Sequence, residues 1–145
     1  MRVLLDANVL IRYLLNQTEQ GTIVDIMTAA HAEVFDLLVP EELLDELVRT
    51  TAKRRLIKKI DPTRLTGLIN VLRTLGEWLP ALTPPIPAYT RDPGDDYLIA
   101  HSLAAHAEYL VTGDEDLLVL DQVGSVQIVS PGAFSALLRQ PDDRN

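Results

Sequence analysis

The sequence predicts an α/β protein, a short parallel β-sheet sandwiched between α-helices. Three observations carry this. Short, largely apolar runs such as RVLL at 2–5 and VQIV at 126–129 recur along the chain, and near-continuous apolar strands are the kind covered on both faces. Stretches of helical periodicity separate these runs. The two kinds of segment alternate, which is the pattern of a parallel sheet clothed by helices. With 145 residues the chain has room for one domain with a substantial core. A single domain over 1–140 is expected, with PDDRN at 141–145 as a frayed tail.

Taken in order, residues 2–5 form the first strand and 9–15 (VLIRYLL) the helix after it, with Asn8 as its N-cap. Residues 20–32 read as a helix and 33–39 (EVFDLLV) as the second strand. Pro40 stands where a first helical residue often stands, followed by Glu41 and Glu42, then Leu43, Leu44, Leu47 and Val48 and a basic run. Asp61-Pro62 opens the next helix by a cap-then-proline pattern, reaching about residue 75. Residues 79–90 contain four prolines and form an irregular crossing. Asp92-Pro93 opens a helix to about 107; YLVT at 109–112 is a strand ending at Gly113; VQIV is the last strand; Ser130-Pro131 caps a closing helix through 138.

Composition removes several classes of function. Apolar residues make up 47% and charged residues 23% of the chain, ordinary for a globular protein. There is no cysteine, hence no disulfide, thiolate metal site or cysteine nucleophile. No apolar run approaches a membrane span. No basic-then-apolar leader with a small-residue cleavage site opens the chain, so a cytoplasmic location is expected. The net charge is −8, unsuited to non-specific attraction of phosphates unless Lys and Arg are gathered locally. They are gathered, at Arg49, Lys53, Arg54, Arg55, Lys58 and Lys59. This run reads either as a basic strip beside an acidic centre or as a solvated helix face.

Acidic residues fall where an open parallel sheet binds its ligands, at the carboxyl ends of strands. Asp6 interrupts the apolar run MRVLLDANVLIRYLL. An ionised carboxylate there either caps a helix or holds something, because burying it alone is costly. Asp114 and Asp116 follow YLVT across a glycine turn. Each has a structural explanation alone; convergence on one sheet edge has none. Asp92 is placed as an N-cap and Asp95 near the positive end of the same helix. Asp96 lacks such an account. At about 100° per residue, Ala100, Leu103 and Ala107 fall within about 40° of it and Ile99 about 60° away, so Asp96 sits on the apolar stripe. A metal shared with Asp6 and Asp114 would balance its charge. Carboxylates alone favour a hard cation, Mg²⁺ or Mn²⁺. His31, His101 and His106 show no ligand spacing and read as surface or packing residues. With no P-loop and no GxSxG elbow, a carboxylate-held metal points to phosphodiester hydrolysis.

The stretches LLDANVLIRYLL and DDYLIAHSLAAHAEYLVTGDEDLL, with the strand–helix order between them, resemble a PIN domain over essentially the whole chain. The resemblance implies a PIN-like fold and a metal-dependent ribonuclease of the kind found as the toxin of VapBC-type toxin–antitoxin pairs. It implies that Asp6, Asp96 and Asp114 hold Mg²⁺ or Mn²⁺, with Asp116 beside them, and that Asn8 and Thr112 orient acids or waters. It implies a glutamate on the middle helix that positions water or a second metal: Glu46, with Glu42 one turn away as a rival. The spacing of residues does not itself select Glu46. An RNA substrate, a homodimer and a cognate antitoxin that occludes the site are further implications. Two other readings stay open. One is a phosphatase or receiver on a similar sheet; against these, Asn8 replaces the second acid of an early D-x-D, and no lysine follows Lys59. The other is a catalytically inactive PIN-like interaction module.

Overall fold

The computed structural model describes residues 1–16, 18 and 20–140; the tail expected to fray, 141–145, lies outside the described residues. Strand β1 (Arg2–Leu5) leads into α1 (Ala7–Leu15) and α2 (Thr22–His31), and β2 (Asp36–Pro40) into α3 (Glu41–Thr51), α4 (Arg54–Ile57) and α5 (Pro62–Leu75). Strand β3 (Glu77–Leu79) precedes the proline-rich crossing, a 3₁₀ turn at Pro93–Asp95 and α6 (Asp96–Ala104). Strand β4 (Tyr109–Val111), α7 (Glu115–Leu118), β5 (Gln122–Val123), β6 (Val126–Val129) and α8 (Pro131–Arg139) complete it.

The strands form one sheet in the order β3-β2-β1-β4-β6-β5. Every pairing is parallel except that of β5 with β6. The α/β architecture is therefore as the sequence predicts. Val3, Leu4 and Leu5 are wholly buried; consecutive side chains point to opposite faces, so β1 is covered on both. The chain runs outward from β1 through β2 to β3, then returns to add β4 on the other edge of β1. That reversal opens a crevice beyond the carboxyl ends of β1 and β4, where such sheets bind ligands. Phe134 of α8 is wholly buried and stands edge-on to Phe35, with ring centroids 5.3 Å apart.

Cap-then-proline starts hold at three places. The Oδ1 of Asp61 accepts from Thr63 N at 2.9 Å, that of Asp92 from Gly94 N at 2.9 Å, and Ser130 Oγ from Ala133 N at 3.2 Å. Other expectations need correction. Asn8 does not cap α1: the helix begins at Ala7 with Asp6 at the cap position. Pro40 is extended and ends β2 rather than opening α3. Glu33 (φ 57°) and His106 (φ 56°) adopt left-handed backbone, which delays β2 to Asp36 and ends α6 before the predicted 107. Strands β3 and β5 were not expected. They are three and two residues long, on the sheet's two edges, where partly exposed side chains give no apolar run.

Gly76 joins α5 to β3 through a close approach. A Cβ there would lie 2.3 Å from Val39 Cγ2 and 2.4 Å from Leu72 O. Because the Leu72 carbonyl is helix backbone, the crowding cannot be relieved by a rotamer change. Gly76→Ala is expected to lower stability by about 1–3 kcal/mol, read as a lower urea midpoint at unchanged slope.

Candidate functional site

Four segments bring acids to the crevice. Asp6 follows β1 and is 4% exposed. Thr112, wholly buried after β4, donates its hydroxyl to Asp6 Oδ2 at 2.7 Å and accepts from Asp114 N at 3.0 Å. One threonine thus ties the ends of two neighbouring strands together. Asp114 caps α7, its Oδ1 accepting from Asp116 N at 3.0 Å. Asn8 Oδ1 accepts from Gly113 N at 3.4 Å, so this side chain fixes the glycine turn instead of a helix start.

Asp96 departs most from expectation. It is buried, but its Oδ1 accepts from the backbone N–H of Tyr89 at 2.9 Å and of Thr90 at 2.8 Å. Two amide donors on one oxygen give this buried carboxylate partners other than a cation. The helical-wheel argument assumed a single apolar face, whereas α6 is buried at Asp96, Tyr97, Leu98, Ile99, His101 and Ser102. The acid that enters the cluster is its neighbour Asp95. Its carboxyl is pushed up to about 8, by burial first, then by a hydrogen bond shared with Asp114 and by the charges of Asp114, Asp6 and Asp92. Its Oδ2 is buried without a donor. As a carboxylate Asp95 is therefore unsatisfied; as an acid it shares its proton with Asp114. Asp6 is likewise raised, to about 6, by burial first and then by Glu46 and Asp114, against the hydroxyl of Thr112 and the N–H of Ala7.

Helix α3 offers Glu42 and Glu46, and their surroundings separate them. Glu42 is engaged: Oε2 accepts from Leu82 N at 3.0 Å, and Oε1 pairs with His101 Nε2 at 2.8 Å. Burial acts to raise its carboxyl, but the amides of Leu82 and of Glu42 itself together with His101 outweigh it, and the net shift is downward. His101, expected to be a surface or packing residue, is buried and holds Glu42 in place. Glu46 accepts from the hydroxyl of buried Tyr97 and acts electrostatically on Asp6. Burial, then Glu46, raise the Tyr97 phenol. A cleft lined by Glu46, Arg49, Asp92, Asp95 and Tyr97 opens beside these groups.

The structure thus gathers Asp6, Glu46, Asp95 and Asp114 through mutual electrostatics and hydrogen bonds, with Thr112 and Asn8 in support, while Asp96 accepts from the 89–90 amides and Asp116 gives its backbone N–H to Asp114. Among the described residues no three His, Cys, Asp or Glu side chains stand close enough to hold an ion between them. The donor set nevertheless suits a hard divalent cation, being oxygen throughout, and the orphaned Oδ2 of Asp95 is the atom a cation would satisfy. Asp95 was missed because the sequence explained it by the helix dipole. The adjacent pair Asp95-Asp96 was the available signal, since two successive acids at a helix start cannot face the same way.

Fold and site together define an α/β protein with an acidic crevice at the switch point of its sheet. The family model of the PIN domain matches residues 2–116, most of the chain, and the chain belongs to the PIN domain family. PIN domains are generally nucleases, and the family's fold is that of a metal-dependent nuclease. No curated protein matches the chain.

Proposed function

We propose that this PIN domain is a Mg²⁺- or Mn²⁺-dependent endoribonuclease and the toxin of a toxin–antitoxin pair. The observation that carries the reading is the group of buried or half-buried acids, Asp6, Glu46, Asp95 and Asp114, with an unsatisfied oxygen on Asp95. A fold does not keep such a group for stability, since like charges drawn from water repel and raise one another's proton affinity.

In this reading Asp6, Asp95 and Asp114 would hold the cation, drawn together by it more closely than they stand in the metal-free chain, and Asp95 would exchange its proton for it. The ion, when bound, lowers the pKa of a water and neutralises the scissile phosphate. Thr112 keeps Asp6 and Asp114 in register. Glu46, held by Tyr97, accepts a hydrogen bond from the attacking water and orients it toward phosphorus. Asp96 fixes the 89–90 segment that borders the site, and Asp116 contributes its amide to Asp114. A homodimer in the cytoplasm, and an antitoxin that places a basic side chain into the acidic crevice, complete the proposal; the net charge of −8 favours such a partner. No helix among the described residues is long and apolar enough to cross a membrane.

The test is cleavage of an RNA panel with Mn²⁺ or Mg²⁺. Internal cuts that EDTA abolishes are expected, together with calorimetric binding of Mn²⁺. The absence of both cleavage and binding at millimolar metal would overturn the proposal in favour of an interaction module.

A further inference from the structure

We infer that the basic arm at 49–59 is the track on which the phosphate backbone of RNA lies as it leaves the acidic crevice. The inference rests on the nuclease reading, because it assigns that site's substrate a path.

Six of the chain's 13 lysines and arginines fall within these eleven residues, which include no acid. Arg49, Lys53, Arg54, Arg55, Lys58 and Lys59 are all exposed. The ion pairs found among the described residues join Arg2 to Glu77, His101 to Glu42 and Arg139 to Asp25. None uses the arm, in a chain with 21 acids to choose from. Crowded like charges repel and weaken the fold that displays them, so the arm's complement lies outside the chain.

The arm is also fixed in place. Thr51, Leu56 and Ile60 are buried beneath it, and Thr51 Oγ1 donates to Leu47 O at 2.8 Å. Helix α3 ends there, Lys53 is extended, and α4 begins at Arg54. Short buried anchors under exposed cations make a platform rather than a frayed turn. The platform connects to the site. Arg49 lies one helical turn beyond Glu46 and lines the same cleft as Glu46 and Asp95. From Glu46 to the end of α3 at Thr51 is roughly 7.5 Å along the helix axis at 1.5 Å per residue, and the rest of the arm follows at once, which places it within a few nucleotides of the acids. Val48 and Ile57 are about half exposed on the same segment and offer apolar contact to unstacked bases. An acidic protein that must hold a polyanion needs local cations, and this segment is where it has them.

The test reads binding without catalysis. A fluorescent, unstructured short RNA is titrated with full-length protein in EDTA across a salt series, and affinity is followed by anisotropy. Log affinity is expected to fall linearly with log salt. The variant Arg54→Gln/Arg55→Gln/Lys58→Gln should show a slope shallower by about 2, at about 0.7 per phosphate contact, and about tenfold weaker binding at low salt. The charge-keeping variant Arg54→Lys/Arg55→Lys should retain the slope, and Arg73→Gln, exposed on α5, should bind as wild type. Wild-type binding without salt dependence, or an unchanged slope in the triple variant, overturns the inference. So does displacement of RNA by polyglutamate at equal charge concentration, which would make the arm a docking site for acidic proteins. Loss of cleavage in the panel would count against the nuclease reading while leaving this measurement to stand or fall separately.

Discussion

Asp95→Asn is expected to remove the metal-dependent RNA cleavage proposed above, whereas Asp96→Asn is expected to leave it within a few-fold of wild type. The two residues are adjacent and both carboxylates are drawn inward, yet their environments predict opposite outcomes. Asp96 receives two backbone N–H groups from Tyr89 and Thr90 on one oxygen. An asparagine presents the same carbonyl oxygen, so loop and helix stay joined. Asp95 has a buried oxygen with no donor and shares a proton with Asp114. Asparagine there keeps the volume but loses the negative charge that a cation requires. Loss of an outer-shell partner in a metal site typically costs about 10–100-fold in affinity or activity, so loss of a direct ligand should exceed about 100-fold in kcat/KM. The metal-free Asp95→Asn protein should melt no lower than wild type above pH 8, because a repelling charge is gone. Equal loss in both variants, or a larger loss in Asp96→Asn, would remove Asp95 from the site.

The metal-free protein is expected to lose stability as pH rises, and the divalent cation proposed above is expected to reverse the trend. Asp6 titrates near 6 and Asp95 near 8 in the folded chain, both from an ordinary value of 3.8. Between 3.8 and these values the folded state holds protons that the unfolded state has released, so stability falls with increasing pH. The contribution of Asp6 is full below its unfolded value and lost through about 6; that of Asp95 is lost through about 8. Asp95 is only half-buried, so water screens part of its share. Glu42 has the opposite sign, but its contribution is lost only as pH falls below its ordinary 4.5, outside this window. With Mn²⁺ present, cation and protons compete for the same oxygens, and the gain in melting temperature should grow with pH. Thermal melts in EDTA and in Mn²⁺ across this range test both signs. An EDTA curve that is flat or rising from pH 5 to pH 8 would sink the prediction.

Much of the fold was legible because buried parallel strands carry their own signal. RVLL and VQIV need no context, and the pairs Asp61-Pro62 and Ser130-Pro131 mark helix starts by chemistry acting within three residues. The edge strands Glu77–Leu79 and Gln122–Val123 were not legible, since pairing on one side leaves no apolar pattern. In the site, Asp6 and Asp114 were legible from position alone, each placed by the end of a strand. The choice between Asp95 and Asp96 was not, because it depends on where the 89–90 amides lie, and a proline-rich crossing fixes that in space rather than in sequence. Glu46 was picked out by resemblance to the family; its physical distinction from Glu42 is His101, which lies 59 residues from Glu42 along the chain.

The pairing of β1 with β4 joins residues far apart in the chain: Val3 with Tyr109, Leu5 with Val111. Bringing such distant segments together is slow and comes after local structure has formed. During synthesis, β1, β2 and the intervening helices can assemble while one side of β1 still waits for its partner. Asp6 and Glu46 are then present, but Asp95 and Asp114 are not, and Thr112 has not yet tied Asp6 to the second strand. A ribosome-bound or prematurely terminated chain therefore carries half of the acids and no crevice. The proposed activity can therefore begin only once the chain has been made through Asp114 and β4 has joined β1.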